Sequence, residues 1–331
     1  MAKRKKYKLK LGVKVIIFLL ILGVIGYFFY DNYRKEQLYK ETNLYKMLQI
    51  GYSEEDVKFF IDKLSDEEES DLLNRPYNEF IPFFIKCDYF LYKNLDVYLE
   101  QVITKEKDFF KYHGTDGYDY ELIVGTVNTH ANEEKYSGTR KVDLSKNNAI
   151  LVNKHYALDD YVPTDLVDIP WKYRFGQAND KISITKDAYD AFIDMWNAAQ
   201  QEDIYLIVAS GYRSKPEQEK EYKNYYNLKG EKYADTIAAR PGYSEHQTGL
   251  AIDVYSKECY SSSTFHESKS YEWLINNSYK FGYILRYPKG KEKITGYNYE
   301  SWHFRYLGVD LATKVHDSGL TYDEYYVYYL E

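Results

Sequence analysis

Ser244-Glu245-His246-Gln247-Thr248-Gly249-Leu250-Ala251-Ile252-Asp253 is the stretch on which the reading of this chain turns. A loop rich in Gly, Pro and Ser, Arg240-Pro241-Gly242-Tyr243-Ser244, leads into it, and Leu250 to Val254 has the apolar run of a buried strand. An aspartate inside such a run is costly to bury unless a metal or a charge partner meets it. Downstream, Glu300-Ser301-Trp302-His303 supplies a second imidazole. His246, Asp253 and His303 together suit Zn²⁺, and three protein ligands leave the fourth position open, as catalytic sites do. Water held there is acidified toward neutral pH and becomes a nucleophile. Glu300, three residues before a ligand, is the natural general base. The other histidines, His113, His130, His155, His266 and His316, lie in no comparable setting and read as surface or core residues.

Three ordered stretches resemble the VanY-type D-alanyl-D-alanine carboxypeptidases, part of a zinc family that also holds lysostaphin-like endopeptidases and the hedgehog signalling domain. They are Ser210-Gly211-Tyr212-Arg213-Ser214 followed by Gln218, Pro241 to Gly249 continuing through Asp253, and Glu300 to Gly308. The resemblance covers roughly 148–331, a little over half the chain. It implies an α+β fold, a small antiparallel sheet flanked by helices. It also implies that His246, Asp253 and His303 hold zinc and that Glu300 is the catalytic base. By the same likeness Arg213 stabilises the oxyanion or binds the substrate carboxylate, with Gln218 and Ser244 lining that pocket. The implied substrate is the D-alanine terminus of a peptidoglycan stem peptide. Cleavage of an L,D bond, crossbridge endopeptidase action and a non-catalytic zinc-containing wall-binding module are the alternatives. Arg213 and Gln218 argue against the endopeptidase if they close around a terminal carboxylate, and Glu300 argues against a purely structural site.

One position departs from the family pattern. Ser301 stands where Pro often separates the catalytic Glu from the Trp. In an ideal strand, residues three apart point to opposite faces, so Glu300 and His303 share a site only if the backbone bends between them. Serine enforces that bend less than proline does.

The first thirty residues are of another kind. Lys3, Arg4, Lys5, Lys6, Lys8 and Lys10 precede a run from Leu11 to Tyr30 broken only by Lys14. Twenty residues cross a bilayer core as a helix, Lys14 near one end can snorkel, and the basic flank favours the cytoplasmic side. Val24-Ile25-Gly26 offers a cleavage site, but Tyr27-Phe28-Phe29-Tyr30 continues the apolar stretch, so an uncleaved signal anchor is the expected form. The expected product is a single-pass membrane protein with its catalytic domain extracellular, monomeric.

Setting aside the seven Lys and Arg of that segment leaves 37 of the chain's 44 basic residues against 51 acidic ones, a net of −14. Such a domain lacks the basic footprint of a nucleic-acid binder, and recognition of wall material has to come from a cleft. Cys87 and Cys259 fall in different expected units and read as two unpaired, partly buried thiols rather than a disulfide framework.

Four segments follow: 1–10 a basic tail, 11–30 the anchor, 31–120 a helical spacer or docking module, and 121–331 the zinc carboxypeptidase domain. In the module, Ser53-Glu54-Glu55-Asp56 and Ser65-Asp66-Glu67-Glu68 are N-cap patterns, with acids in the first turn where the helix dipole favours them. In the last segment, Leu122 to Gly125 and Ala149 to Val152 look like short strands. A helix is expected over 186–201, a strand over 204–209 that delivers Arg213, and a helix from Pro216 carrying Gln218 in its first turn. A helix over 271–281, strands near Ile284 and Trp302, and a helix over 309–317 complete the pattern.

Overall fold

The computed structural model describes residues 11–104, 118–177 and 180–331. It divides into two compact units, Met1–Leu99 and Glu100–Glu331.

The N-terminal unit is helical. Helix α1, Leu11–Ile50, is long and apolar enough to cross a membrane by length and composition, and its apolar window is fully unburied. Helices α2, Glu54–Lys63, and α3, Asp66–Leu73, start where the sequence puts their caps. The Ser53 hydroxyl accepts from the Asp56 amide, and Ser65 with Glu68 closes a reciprocal capping box. Helix α4, Ile81–Lys86, and the start of α5, Leu95–Thr104, complete the unit. Met47, Val57, Phe60, Leu72, Ile81 and Leu95 meet in one apolar core. Its buried carboxylate, Glu69, accepts from the Asn43 amide at 2.8 Å.

The second unit is α+β. Its main sheet is antiparallel, with strands β1 (Leu206–Ser210), β2 (Ala251–Ser256), β3 (Tyr283–Leu285) and β4 (His303–Tyr306) in the order β1-β2-β4-β3. The helix expected over 186–201 is α7, Lys186–Gln201. It lays Ala188, Phe192, Met195 and Ala199 on Leu206, Val208, Ile252 and Phe304 of the sheet, which forms the largest core. Helix α8, Lys215–Lys229, has Pro216 in its first turn and a capping box between Ser214 and Glu217. Helix α9 is Glu231–Ile237, α10 is Lys269–Asn277, α11 is Val309–Ser318 and α12 is Tyr322–Tyr329.

Two expected strands are not strands. Leu122 to Gly125 lies in helix α6, Tyr120–Asn128, where the Asp119 side chain caps the Leu122 amide and the apolar run is buried. A short apolar run does not reveal its own period, and here the cap decides. Ala149 ends a 3₁₀ segment, Leu144–Ala149, and Ile150 to Val152 joins no strand. The Arg305 guanidinium takes the backbone carbonyls of Asn148 and Ile150, so a buried cation replaces ladder bonding there.

Cys87 and Cys259 sit in different units, and no disulfide joins them. The Cys87 thiol donates to the Phe83 carbonyl at 3.3 Å.

Candidate active site

Strand register places two of the candidate ligands. Asp253 in β2 pairs directly with His303, the first residue of β4, so both side chains leave the same face of the sheet. His246 arrives from a 3₁₀ turn, Glu245–Thr248, that Gly249 ends in the left-handed conformation (φ 69°). A Cβ on Gly249 would also sit 3.0 Å from Leu166 and 3.2 Å from Thr185, so the turn closes tightly only around glycine. The donor atoms of His246, Asp253 and His303 all lie within 4.8 Å of one another. His246 Nε2 is 3.5 Å from Asp253 Oδ2, and His303 Nδ1 is 3.3 Å from Asp253 Oδ1.

The imidazoles present different nitrogens because different acceptors hold their far sides. His246 Nδ1 lies 2.7 Å from the Gly211 carbonyl, which assigns its proton there and leaves Nε2 for a cation. Gly211 can stand there because it has no Cβ, which would meet the Ser183 carbonyl at 2.6 Å. His303 Nε2 lies 3.2 Å from Glu245 Oε2, leaving Nδ1 toward Asp253.

Glu245 is a site residue that the sequence reading missed. It is fully buried, and Arg286 and Arg305 each donate to its Oε1 at 2.8 Å. Burial alone raises its pKa, but the two guanidinium groups and His303 hold it well below the usual carboxylate range. Arg286 in turn pairs with Asp323 of α12, which accepts from Asn153 at 2.8 Å. Its place beside His246 in the opening motif was the available signal.

This donor set fits a divalent cation. Asp253 Oδ1 is buried and has no hydrogen bond. Burial opposes charge on His303, yet Asp253 and Glu245 raise its pKa to about 9. The site thus draws a proton to the place where a cation would sit, and metal binding would expel it. Burial pushes the His246 imidazole the other way, with the Arg213 charge adding to it.

Glu300 stands beside this cluster. Its Oε2 is 3.7 Å from His303 Nδ1, and 15% of its side chain is exposed. The bend that proline would have enforced is present with Ser301: the His303 amide donates to the Glu300 carbonyl at 3.3 Å, and the Glu300 amide to the Tyr287 carbonyl at 3.1 Å. Burial raises Glu300 to about 7, with Asp253 and Glu245 adding and His303 and Arg213 opposing.

Arg213 follows β1, and its amide donates to the His246 carbonyl at 3.1 Å. Its guanidinium donates at 3.1 Å to Gln218 Oε1 and at 3.1 Å to Ser210 Oγ, while Gln218 is itself fixed on the Ala239 carbonyl at 2.8 Å. Arg213, Gln218, Ser244, His246, Asp253, Glu300 and His303 all line one cleft of about 300 Å³. Tyr225, Tyr287, Tyr297, Tyr299 and Trp302 supply its aromatic surface. The other described histidines stand elsewhere. His130 pairs with Glu133 at 2.9 Å, burial lowers His155 to about 4, and His316 stacks on Tyr279 with ring centroids 3.7 Å apart. His266 packs edge-on against the Tyr299 ring, and His113 lies outside the described residues.

Comparison with known proteins fits this geometry. The VanY family model, described as D-alanyl-D-alanine carboxypeptidase, matches residues 181–309. The YodJ protein of Bacillus subtilis is 41% identical over 196 residues, 58% of this chain and 72% of that protein. This chain belongs to the VanY family. A D-alanyl-D-alanine carboxypeptidase of Enterococcus faecalis is 42% identical over 141 residues, and the match spans 40% of this chain and 51% of that protein. Among solved structures, the LdcB LD-carboxypeptidase is 41% identical and matches with a TM-score of 0.54, over 58% of this chain and 92% of that one. The VanY match lies wholly within the second unit and takes in all seven candidate residues.

Proposed function

We propose that this chain is a membrane-anchored, extracellular zinc carboxypeptidase that removes the C-terminal D-alanine from peptidoglycan stem peptides. One observation carries the reading: a three-donor cluster, a carboxylate beside it with pKa about 7, and a tethered guanidinium all face the same cleft. His246, Asp253 and His303 would hold the ion, which when bound polarises the scissile carbonyl and acidifies water. Arg213, braced by Gln218 and Ser210, holds the terminal carboxylate in two parallel hydrogen bonds. Glu300 takes the proton of the attacking water and returns it to the leaving amine.

The family description supports a D,D bond as the target. A second reading, cleavage of the L,D bond of a tetrapeptide stem, is favoured by the likeness to the LD-carboxypeptidase. Zinc-loaded protein incubated with pentapeptide and tetrapeptide stems decides between them by the masses of the products. Release of D-alanine from the pentapeptide alone supports the first reading, and release from the tetrapeptide the second. A crosslinked stem dimer offered as a third substrate and cut inside its crossbridge, with both stems intact, would remove the carboxypeptidase altogether.

The placement rests on α1 and the basic residues before it. Residues 11–30 serve as the anchor, 31–120 as the spacer and 121–331 as the enzyme. The full chain should remain in the membrane through a carbonate wash, with the catalytic unit open to external protease. A soluble species beginning near Tyr27 would instead establish a cleaved signal peptide.

A further inference from the structure

Lys154 is buried, with 1% of its surface exposed, and among the described residues it makes no salt bridge. Its ammonium donates to two backbone carbonyls, those of Asp235 and Gly296, and lies 4.1 Å from the centre of the Tyr297 ring. Three N–H groups thus meet two carbonyl oxygens and one aromatic face, which satisfies the donor without a carboxylate. Burial brings its pKa down to about 7. A lysine interior on these terms is costly, and the catalytic steps above make no use of it.

The two carbonyls explain the placement. Asp235 lies in the last turn of α9, and Gly296 caps the helical turn Glu292–Thr295. Helix ends leave carbonyls unsatisfied and carry partial negative charge, so one cation serves both. Each end leads straight into a lining segment of the cleft: Thr236 to Ala239 after Asp235, and Tyr297 to Glu300 after Gly296. Asp235 is fixed a second time, because Arg240 and Tyr222 donate to its carboxylate at 2.8–2.9 Å. The Tyr297 ring lies 4.8 Å from that of Tyr287, whose ring is 4.9 Å from His303.

We propose that Lys154 is a positioning residue that ties the two lining segments of the cleft together and so sets how tightly the peptide is held. The proposal rests on the carboxypeptidase reading of the cleft. Lys154→Met keeps the bulk of the side chain and removes all three donors. In the full-length, zinc-loaded protein it should raise KM for the stem peptide about tenfold with kcat nearly unchanged, the pattern of lost uniform binding. Zinc content should equal that of the unmutated chain, since no ligand touches Lys154. Calorimetric titration of the same peptide into zinc-loaded Glu300→Gln protein, with and without Lys154→Met, should show the same loss without turnover. Lys154→Gln, which retains a donor for one carbonyl, should fall between the two and serves if the methionine variant does not fold. Unchanged KM and peptide affinity in a variant whose Tm has fallen would overturn the proposal, leaving Lys154 a structural residue. An unmutated chain that binds the peptide but releases no D-alanine would instead overturn the reading of function.

Discussion

Between Glu54 and Leu73 the chain forms two helices with serine caps and apolar stripes, and every charged side chain of that stretch but Glu69 stays out of the core. Between Glu245 and Asp323 it buries Glu245, Arg286, Arg305 and Asp323 together under the candidate metal site. In the N-terminal unit, Glu69 is the one described charged side chain so enclosed, and an amide meets it. Apolar packing is the less costly way to hold a small helical unit, because desolvating ion pairs often returns no net stability. The charges of the second unit are therefore better read through what they orient. Glu245 holds Nε2 of His303, which leaves Nδ1 facing the cluster, and a ring of two arginines and Asp323 fixes Glu245.

The largest effect that tests this contrast lies in the cleft. Glu300→Gln should lower kcat by about 10²–10⁴-fold and leave zinc bound, since Glu300 stands beside the donors. His246→Ala should lose zinc as well as activity. Equal zinc loss in both variants would make Glu300 a ligand and sink the general-base role. The acid limb of the profile follows from the same group. As the proposed base Glu300 would work deprotonated, so kcat/KM should fall as pH drops through about 7 or somewhat below, because a bound cation lowers the pKa of a neighbouring carboxyl. A profile flat from pH 5 to about 8 would remove Glu300 from the mechanism.

Next in size is the buried network. Arg286→Met leaves Glu245 and Asp323 enclosed with less positive charge between them. Loss of one partner of a buried pair costs about 3–5 kcal/mol. The thermal midpoint of the second unit should fall accordingly, and zinc affinity with it, as read by competition against a chelator. A variant with the lower midpoint but the original zinc affinity would show that the network stabilises without orienting His303.

Much of the site was legible because its chemistry is local in sequence. His246 and Asp253 fall in one ten-residue motif and Glu300 and His303 in a second short one, and the family resemblance joins the two. The same holds for α7 and α8, whose periodic apolar face and Pro216 are local signals. What stayed hidden depends on distant partners. Glu245 carries no role in the sequence reading, because its partners Arg286 and Arg305 lie 41 and 60 residues away. Lys154 takes its carbonyls 81 and 142 residues away, and no propensity signals that. Of the two misread strands only one shares this cause: Ile150 answers to a guanidinium from β4, whereas α6 was an apolar run too short to show its period, decided by the local Asp119 cap.

Arg213→Lys comes third. Lysine cannot reproduce two parallel hydrogen bonds to a carboxylate, so KM should rise about tenfold to hundredfold while kcat holds. A C-terminally amidated stem should be a poor substrate for the unmutated enzyme. If the loss falls on kcat instead, Arg213 serves the oxyanion. Equal turnover of free and amidated peptides would favour an endopeptidase.

The smallest effect probes the other side of the contrast. Ser65 Oγ accepts from the Glu68 amide at 3.3 Å, and Glu68 Oε2 accepts from the Ser65 amide at 2.8 Å. Ser65→Ala removes half of that box and should cost about 1 kcal/mol, read as a lower midpoint for the N-terminal unit. Glu68 then holds its half alone, so Ser65→Ala with Glu68→Ala should add less than the sum of the two single changes. Turnover and zinc affinity should stay at the unmutated values, because no group in this box touches the cleft. A drop in kcat/KM from this surface change would erase the distinction between the units and give the helical module a part in catalysis.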